Sequence, residues 1–331
     1  MRAMLHIHSG DWSAKAASAL FGGTHLAWTD NLFEGPLPPT DWDDPAWYDA
    51  RAEALADYLG GREQATSLLR KRYDIVRKAL ARADEVTLWF DSCLYDMMLL
   101  CQLLHFAREE LRGTDLFLVC EELRSDGSRF AGYAELDEKE FETMFGRRRL
   151  LTKPMIDDAR ESWRAFTAAS PEAWRRLARR EHPLTPFLAP AARRLLEQLP
   201  DESGLNRLER EIMTALAAGR TQLAPLFEAV SAAEERPFFG DTVVWQALDR
   251  LATDELPPIK LHGPAALIPI DAYPPPELPE FRADAWRVTL TPEGQRALEA
   301  GGPFPGPRSR ERRVANVHLP GSPLPASPKQ A

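Results

Sequence analysis

The sequence predicts an α/β protein with an N-terminal open, mainly parallel sheet and flanking helices, then a helical bridge and a C-terminal winged-helix-like α+β domain. Two observations predict the sheet. Short apolar runs alternate with stretches of helical spacing over residues 1–150. Two of these runs, Val86–Phe90 and Leu116–Cys120, are continuously apolar, as expected for strands buried on both faces. This alternation is typical of a doubly wound sheet.

The first elements are predicted to be a strand, a helix and a strand. Met4–His8 and His25–Trp28 have the length of short strands, and Ser13–Leu20 has apolar residues at helical spacing. Gly22-Gly23 then supplies the left-handed conformations of a C-terminal helix cap. A loop rich in Pro and Asp, Gly35–Asp44, comes next. The further helices predicted in this region are Pro45–Leu59, Glu63–Ala83 and Leu94–Leu111.

The second half is predicted to contain three parts. Residues 151–202 form a helical bridge that prolines interrupt, and residues 203–301 carry three helices followed by short strands, an order typical of a winged-helix domain. These helices are Leu205–Ala218, Gln222–Ala233 and Thr242–Thr253, and the strands are Ile259–His262, Leu267–Ile270 and Trp286–Leu290. Residues 302–331 are rich in Pro and Gly and have little apolar surface to offset ordering entropy, so we expect a disordered tail.

Composition excludes several classes of protein. The 331 residues are 44% hydrophobic and 27% charged, and no apolar run approaches the roughly 18 residues of a membrane span. The net charge of −9 includes −8 over residues 1–150 and −6 over residues 203–301, which argues against a nucleic-acid partner. Three cysteines without metal-type spacing argue against a disulfide framework or a structural zinc site. The N-terminus lacks a signal-peptide pattern, so we expect a cytoplasmic location.

Polar residues follow several predicted strands, and the carboxyl ends of parallel strands share one edge of a sheet, where ligands bind. We expect a carboxylate-rich crevice there, which a cation such as Mg²⁺ could occupy. The candidate ligand-binding residues are His6, Ser9, Gly10, Asp11, Asp91, Ser92 and Tyr95, and the candidate general acids or bases are Asp30, Glu34 and Asp96. The alternative is that these acids cap helices or are simply solvated, since Asp11 and Asp91 precede predicted helices.

Three further side chains have two interpretations each. His6 and His8 alternate along a strand, so they could supply two ligands to one metal or be partly buried, hydrogen-bonded histidines. Cys93, at a helix start, could be a nucleophile with His8 as its base, although the surrounding carboxylates oppose thiolate formation; the alternative is a structural thiol. Neither a Gly-x-Gly-x-x-Gly pattern nor a P-loop occurs in the chain.

Four stretches of this chain resemble a bacterial family known as domain of unknown function 1835, with its associated C-terminal domain. They are His6–Asp11, Trp28–Pro36, Leu88–Asp96 and Arg236–Asp241. The family reads close to HIVNGDS, WRDVLHEGP and WFEHDLYDQ in the first three. This chain departs from that pattern with Asp91-Ser92-Cys93 in place of Glu-His-Asp, Met97 in place of Gln, and His8 in place of an apolar residue. The resemblance implies a common site that includes His6, Gly10, Asp11, Asp30, Glu34, Gly35, Tyr95 and Asp96, but no known reaction.

The sequence leaves catalysis open. The leading hypothesis is a cytoplasmic protein that binds a small polar ligand at the strand ends, as a metal-assisted hydrolase or transferase. The alternative is a ligand-responsive regulator or an adaptor that uses its winged-helix-like domain to contact DNA or a protein. The predicted recognition helix offers Arg250 as its one arginine, which favours packing or protein contact over DNA binding.

Overall fold

The computed structural model describes residues 3–56, 59–130, 132–236, 238–264, 283–300, 304 and 311–321. It confirms the predicted α/β class, with a five-stranded, mostly parallel sheet flanked by helices. The chain forms two compact units. The first comprises Met1–Leu195, Arg236–Phe238 and Ala315–Val317, and the second comprises Leu196–Glu235, Phe239–Val314 and His318–Ala331.

The sheet of the first unit has the strand order β2-β1-β3-β4-β5. The strands are β1 (Met4–His8), β2 (Thr24–Ala27), β3 (Glu85–Trp89), β4 (Asp115–Val119) and β5 (Arg149–Leu150). The first four pair in parallel, each starting within one residue of its predicted start, and β5 pairs antiparallel to β4. The chain passes from β1 to β2 and then crosses to β3 on the other side of β1. The order therefore reverses between β1 and β3, and open α/β sheets bind ligands at the carboxyl ends of such strands.

Helices surround this sheet. They are α1 (Asp11–Ser18), α2 (Pro45–Leu55), α3 (Arg62–Leu80), α4 (Leu94–Phe106), α5 (Glu138–Gly146), α6 (Lys153–Phe166), α7 (Pro171–Leu177) and α8 (Leu188–Leu196). Apart from Tyr95 and His105, every residue of α4 is buried, which explains its almost uninterrupted apolar sequence. Since α6 packs against α4, the segment predicted as a bridge is part of the first unit up to Leu195.

The second unit begins with three helices, in the predicted order. They are α9 (Arg207–Ala217), α10 (Leu223–Ala232) and α11 (Asp241–Ala252). An antiparallel pair follows, β6 (Ile259–His262) with β7 (Arg287–Leu290), and then α12 (Pro292–Ala300), a helix that the sequence reading missed. The predicted strand Leu267–Ile270 lies outside the described residues. No helix in the described part of the chain is both long and apolar enough to cross a membrane.

The expectation of a disordered tail is wrong for residues 311–321. Two short strands, β8 (Arg312–Val314) and β9 (Val317–Leu319), form a small sheet. Arg312 donates to the buried Glu209 carboxylate at 3.0 Å, and the Ala315 N–H donates to the Phe33 carbonyl at 2.8 Å. These partners lie far away in the sequence, so local composition gave no sign of them.

Candidate functional site

The candidate site lies at the carboxyl ends of β1 and β3, the neighbouring strands between which the sheet order reverses. His8 and Trp89 are register partners, and the Ser9 N–H donates to the Trp89 carbonyl at 3.2 Å. Ser9 and Asp91 therefore emerge side by side from the sheet, each just before a helix. The register thus shows that the ends of β1 and β3 lie next to each other, as the sequence predicts.

The turn between β3 and α4 is held by side chains that bond to its own backbone. The Asp91 N–H donates to Asp96 Oδ2 at 2.6 Å, and the Cys93 N–H donates to Asp91 Oδ1 at 2.8 Å. Cys93 is the N-cap of α4, and its sulfur accepts the Asp96 N–H at 3.3 Å. The Ser9 hydroxyl adds a hydrogen bond to Asp96 from the neighbouring strand end. Ligand atoms of Asp91, Cys93 and Asp96 consequently lie within 4.8 Å of one another.

Burial and mutual repulsion decide the protonation of this cluster. Burial, and then the charge of Asp91, raise the pKa of Asp96 well above its usual range, and burial raises the pKa of Asp91. Because both pKa values are raised and the two groups interact, their titrations are coupled, and a nearby cation would favour the ionised forms. Burial, followed by the charges of Asp91 and Asp96, also raises the pKa of the Cys93 thiol. The thiol is therefore protonated in the metal-free protein, which argues against Cys93 as a free nucleophile.

Two more candidate residues belong to the same turn. Tyr95 is half-buried and interacts electrostatically with Asp96, Asp30 and Arg72; its pKa is raised, chiefly by burial, so the phenol stays neutral and can donate a hydrogen bond. Ser92 is buried. Arg72, which the sequence reading did not single out, is fixed by its hydrogen bond to the Thr29 carbonyl at 2.6 Å.

Asp30, a predicted general acid or base, is instead the partner of a buried arginine. Arg51 on α2 donates from Nε to Asp30 Oδ2 at 3.0 Å and from Nη2 to Asp30 Oδ1 at 2.5 Å. Arg51 also donates to the carbonyls of Asn31 at 3.0 Å and Glu34 at 2.6 Å. The loop after β2 is thus wrapped around one guanidinium, and Asp30 stabilises that loop. The side chain of Glu34, the other acid of this motif, is partly exposed.

Asp11 and Gly10 lie at the start of α1. Gly10 is the N-cap, and its carbonyl accepts both the Ala14 N–H and the Ser13 hydroxyl. Asp11 is the first residue of the helix and is exposed. A carboxylate at this position interacts favourably with the positive end of the helix dipole. Asp11 is not a member of the Asp91–Cys93–Asp96 group, and no side chain caps α1 by a hydrogen bond.

The histidines of β1 form a hydrogen-bonded cluster with His25 of β2. Trp89 Nε1 donates to His6 Nδ1, so His6 Nε2 carries the proton that it donates to the Gly22 carbonyl; both distances are 3.2 Å. His25 likewise donates from Nε2 to the Phe21 carbonyl at 3.1 Å and accepts at Nδ1 from His8 Nε2 at 3.2 Å.

These bonds leave His8 Nδ1 buried with no hydrogen-bond partner among the described residues. Burial, and then the charge of His25, lower the pKa of His6 to about 4 and that of His8 to about 2. Both nitrogens of His6 bond to protein groups, so the structure favours neutral core histidines over metal ligands. His25 was missed because its partner role depends on register: it lies opposite His6 on the adjacent strand.

Residues distant in sequence close the other side of the Asp91 turn. Tyr133 places its hydroxyl 3.2 Å from the carbonyls of both Phe90 and Val119, at the ends of β3 and β4. Gly132 lies beside Asp91, since a Cβ at position 132 would be in van der Waals contact with Asp91 Oδ2 at 3.6 Å. No local pattern marks Tyr133 as part of a strand-end site, so only the fold could reveal it.

No family model matches the chain, and no curated protein matches it.

Proposed function

We propose that the first unit binds a divalent cation together with a small polar ligand at the Asp91–Cys93–Asp96 cluster, and acts on that ligand as a metal-assisted hydrolase or transferase. The carrying observation is that two carboxylates and a sulfur converge within 4.8 Å at the switch point of the sheet. Within the described residues, this is the one group of three or more His, Cys, Asp or Glu side chains with such spacing.

The electrostatics of the cluster support a cation. A dication would favour the ionised forms of Asp91 and Asp96, whose pKa values are raised, and would offset their repulsion. Carboxylates alone suit Mg²⁺, whereas the Cys93 sulfur is a softer ligand, so we expect Zn²⁺ to bind more tightly than Mg²⁺. A bound ion would supply Lewis-acid polarisation of a ligand oxygen.

Neighbouring hydroxyl groups would orient the ligand. Tyr95 is neutral, partly exposed and next to Asp96, so it can donate to a ligand oxygen. Ser9 holds Asp96 in place from the end of β1. We also propose that the chain belongs to the domain of unknown function 1835 family. The stretches of this chain that resemble the family form the end of β1, the loop bound by Arg51 and the turn between β3 and α4. The three free, buried cysteines fit the proposed cytoplasmic location.

The regulator alternative receives less support. We regard the order α9, α10, α11, β6, β7 as winged-helix-like, with α11 in the place of a recognition helix. Between Val243 and Leu248 every α11 residue is buried, as is Leu251, so this helix offers few side chains to a DNA groove. A protein partner of this unit stays a proposal.

Titration calorimetry and native mass spectrometry on EDTA-treated protein test the proposal with Zn²⁺ and Mg²⁺ as probes. We expect one Zn²⁺ per chain and at least tenfold weaker binding in Asp91→Asn. Asp74→Asn is the matched control, because Asp74 is exposed on α3 and pairs with Lys78. The proposal fails if the wild-type protein binds neither ion, or if Asp91→Asn binds Zn²⁺ as tightly as the control.

A further inference from the structure

Residues 171–196 carry a charge opposite to that of the rest of the chain. They contain six arginines, two glutamates and no lysine or aspartate, a net charge of +4, whereas the other residues sum to −13. The exposed arginines of this segment, which we call the α7 arginine surface, are Arg175, Arg176, Arg179 and Arg193. Such a local excess of one charge attracts groups of the opposite charge.

One turn of the backbone brings these arginines together. The Arg179 N–H donates to the Arg176 carbonyl at 3.2 Å, which continues the end of α7 as a 3₁₀-type turn. Side chains three residues apart lie above one another in such a turn. Arg193 Nη1 donates to the Ala178 carbonyl at 3.1 Å, so its guanidinium reaches the same turn from α8. The four arginines therefore form one surface rather than scattered charges.

Acidic side chains do not neutralise this surface. In the part of the chain that the structure describes, Arg176 and Arg179 make no side-chain hydrogen bond or ion pair. Arg175 pairs with Glu172 at 3.3 Å, but both side chains are about half exposed, and such pairs are weak. Like charges three or four residues apart on a helix repel each other. An anionic partner would relieve this repulsion.

The carboxyl end of α7 explains only part of the surface. A cation near the end of a helix interacts favourably with the helix dipole, and Arg193 also satisfies a carbonyl there. The guanidinium groups of Arg176 and Arg179 donate to none of the described carbonyls of this end. Their donors are therefore available to a partner.

The chemistry of the surface fits an acidic segment of a protein. Guanidinium groups bind carboxylates in a bidentate geometry. The neighbouring Trp174 and Leu177 are buried, so neither can stack on a nucleic-acid base or enter a lipid surface. The net charge of −9 opposes a long polyanion such as duplex DNA, whereas a short run of carboxylates meets chiefly the local positive charge.

We propose that the α7 arginine surface is a docking site for an acidic segment of a partner protein. Arg176 and Arg179 supply bidentate contacts to its carboxylates, and Arg175 and Arg193 extend the positive field around them. The surface goes beyond the proposed function, since none of its residues belongs to the Asp91–Cys93–Asp96 cluster.

Fluorescence anisotropy of a fluorescein-labelled octaglutamate peptide tests the proposal on the full chain at low ionic strength. We expect saturable binding that weakens as salt is added. The double variant Arg176→Gln/Arg179→Gln should bind the peptide about tenfold more weakly, because it loses two ion pairs. Arg82→Gln/Arg112→Gln is the matched control, since it removes the same charge from two exposed arginines outside the surface.

Urea denaturation separates docking from a structural role. Weaker peptide binding by Arg176→Gln/Arg179→Gln with an unchanged urea midpoint supports the docking site. A lower midpoint with unchanged peptide affinity would show that the two arginines only stabilise the end of α7. Equal peptide affinity in the two double variants overturns the proposal, and so does tighter binding of a duplex DNA that carries the same charge as the peptide.

Discussion

Arg51 and Asp30 form a bidentate ion pair in which neither side chain has more than 1% of its surface exposed. Replacing Arg51 with Met leaves a buried carboxylate and several loop carbonyls without their donor. We expect Arg51→Met to lower the free energy of unfolding by about 3–5 kcal/mol, measured by urea denaturation. Arg62→Met is the control: Arg62 is 58% exposed and pairs with Asp49 at 3.8 Å, so its loss should cost less than about 1 kcal/mol. Equal losses in the two variants would contradict a structural role for the buried pair.

Gly35 is required by a close approach of two chain segments. A Cβ at this position would lie 1.5 Å from the carbonyl oxygen of Ala315. Gly35→Ala must therefore displace backbone, and we expect it to cost about 1–3 kcal/mol in thermal or urea unfolding. Gly22→Ala is matched to it, because an added Cβ there meets nothing within 4 Å. If both variants unfold alike, the contact with Ala315 does not constrain position 35.

Because of the histidine cluster, we expect the free energy of unfolding to decrease at acidic pH. His6 and His8 have pKa values lowered from 6.5 to about 4 and about 2, so the unfolded chain binds protons that the folded protein excludes. The stabilising contribution is complete above pH 6.5 and is lost as the pH falls toward those lower values. Each imidazole contributes up to about 1.4 kcal/mol per pH unit in that window.

Urea midpoints measured between pH 7 and pH 4 check this slope. His8→Val removes one of the two groups and should flatten the curve below pH 6.5, whatever its effect on stability at pH 7. His262→Gln is the control, because His262 is exposed on β6, where its Nε2 lies 2.9 Å from the Thr289 hydroxyl. If the slope of stability against pH is the same in His8→Val as in the wild-type protein, His8 does not cause the loss of stability in acid.

The fold could be predicted where local patterns suffice. Val86–Phe90 and Leu116–Cys120 were identified as buried strands because strands covered on both faces are continuously apolar, and β3 and β4 confirm this. The polar residues around Asp91 were found by the same logic, since a strand end followed by a helix marks the edge of a parallel sheet.

What escaped prediction depends on contacts between distant segments. Arg51 has the sequence environment of any helix arginine, and only the tertiary structure brings Asp30 to it. His25 required the register of β2 against β1. The small sheet after residue 311 buries Val314, Ala315 and Val317. Its hydrogen-bond partners Glu209 and Phe33 are distant in the sequence, so the Pro- and Gly-rich composition of residues 302–331 does not reveal them.

The three thiols should react slowly in the folded protein. All three are buried, and burial raises the pKa of Cys93, Cys101 and Cys120. We expect a chromogenic disulfide reagent to modify none of them rapidly near neutral pH, and all three after unfolding in urea. One thiol that reacts within seconds in the native protein would restore the catalytic interpretation of Cys93. Cys93→Ser would then identify it.

The turn at Ala315–Val317 belongs to the first unit. Between Leu196 and Val314 the chain belongs to the second unit, apart from Arg236–Phe238. During synthesis, Gly35 in the loop around Arg51 cannot contact Ala315 until this late turn has been translated. A nascent chain that has emerged only as far as α8 therefore lacks the contact of Ala315 with that loop. Any shortened chain intended to isolate the α/β unit therefore needs Ala315–Val317 supplied back to it, on the same polypeptide or within a separate peptide.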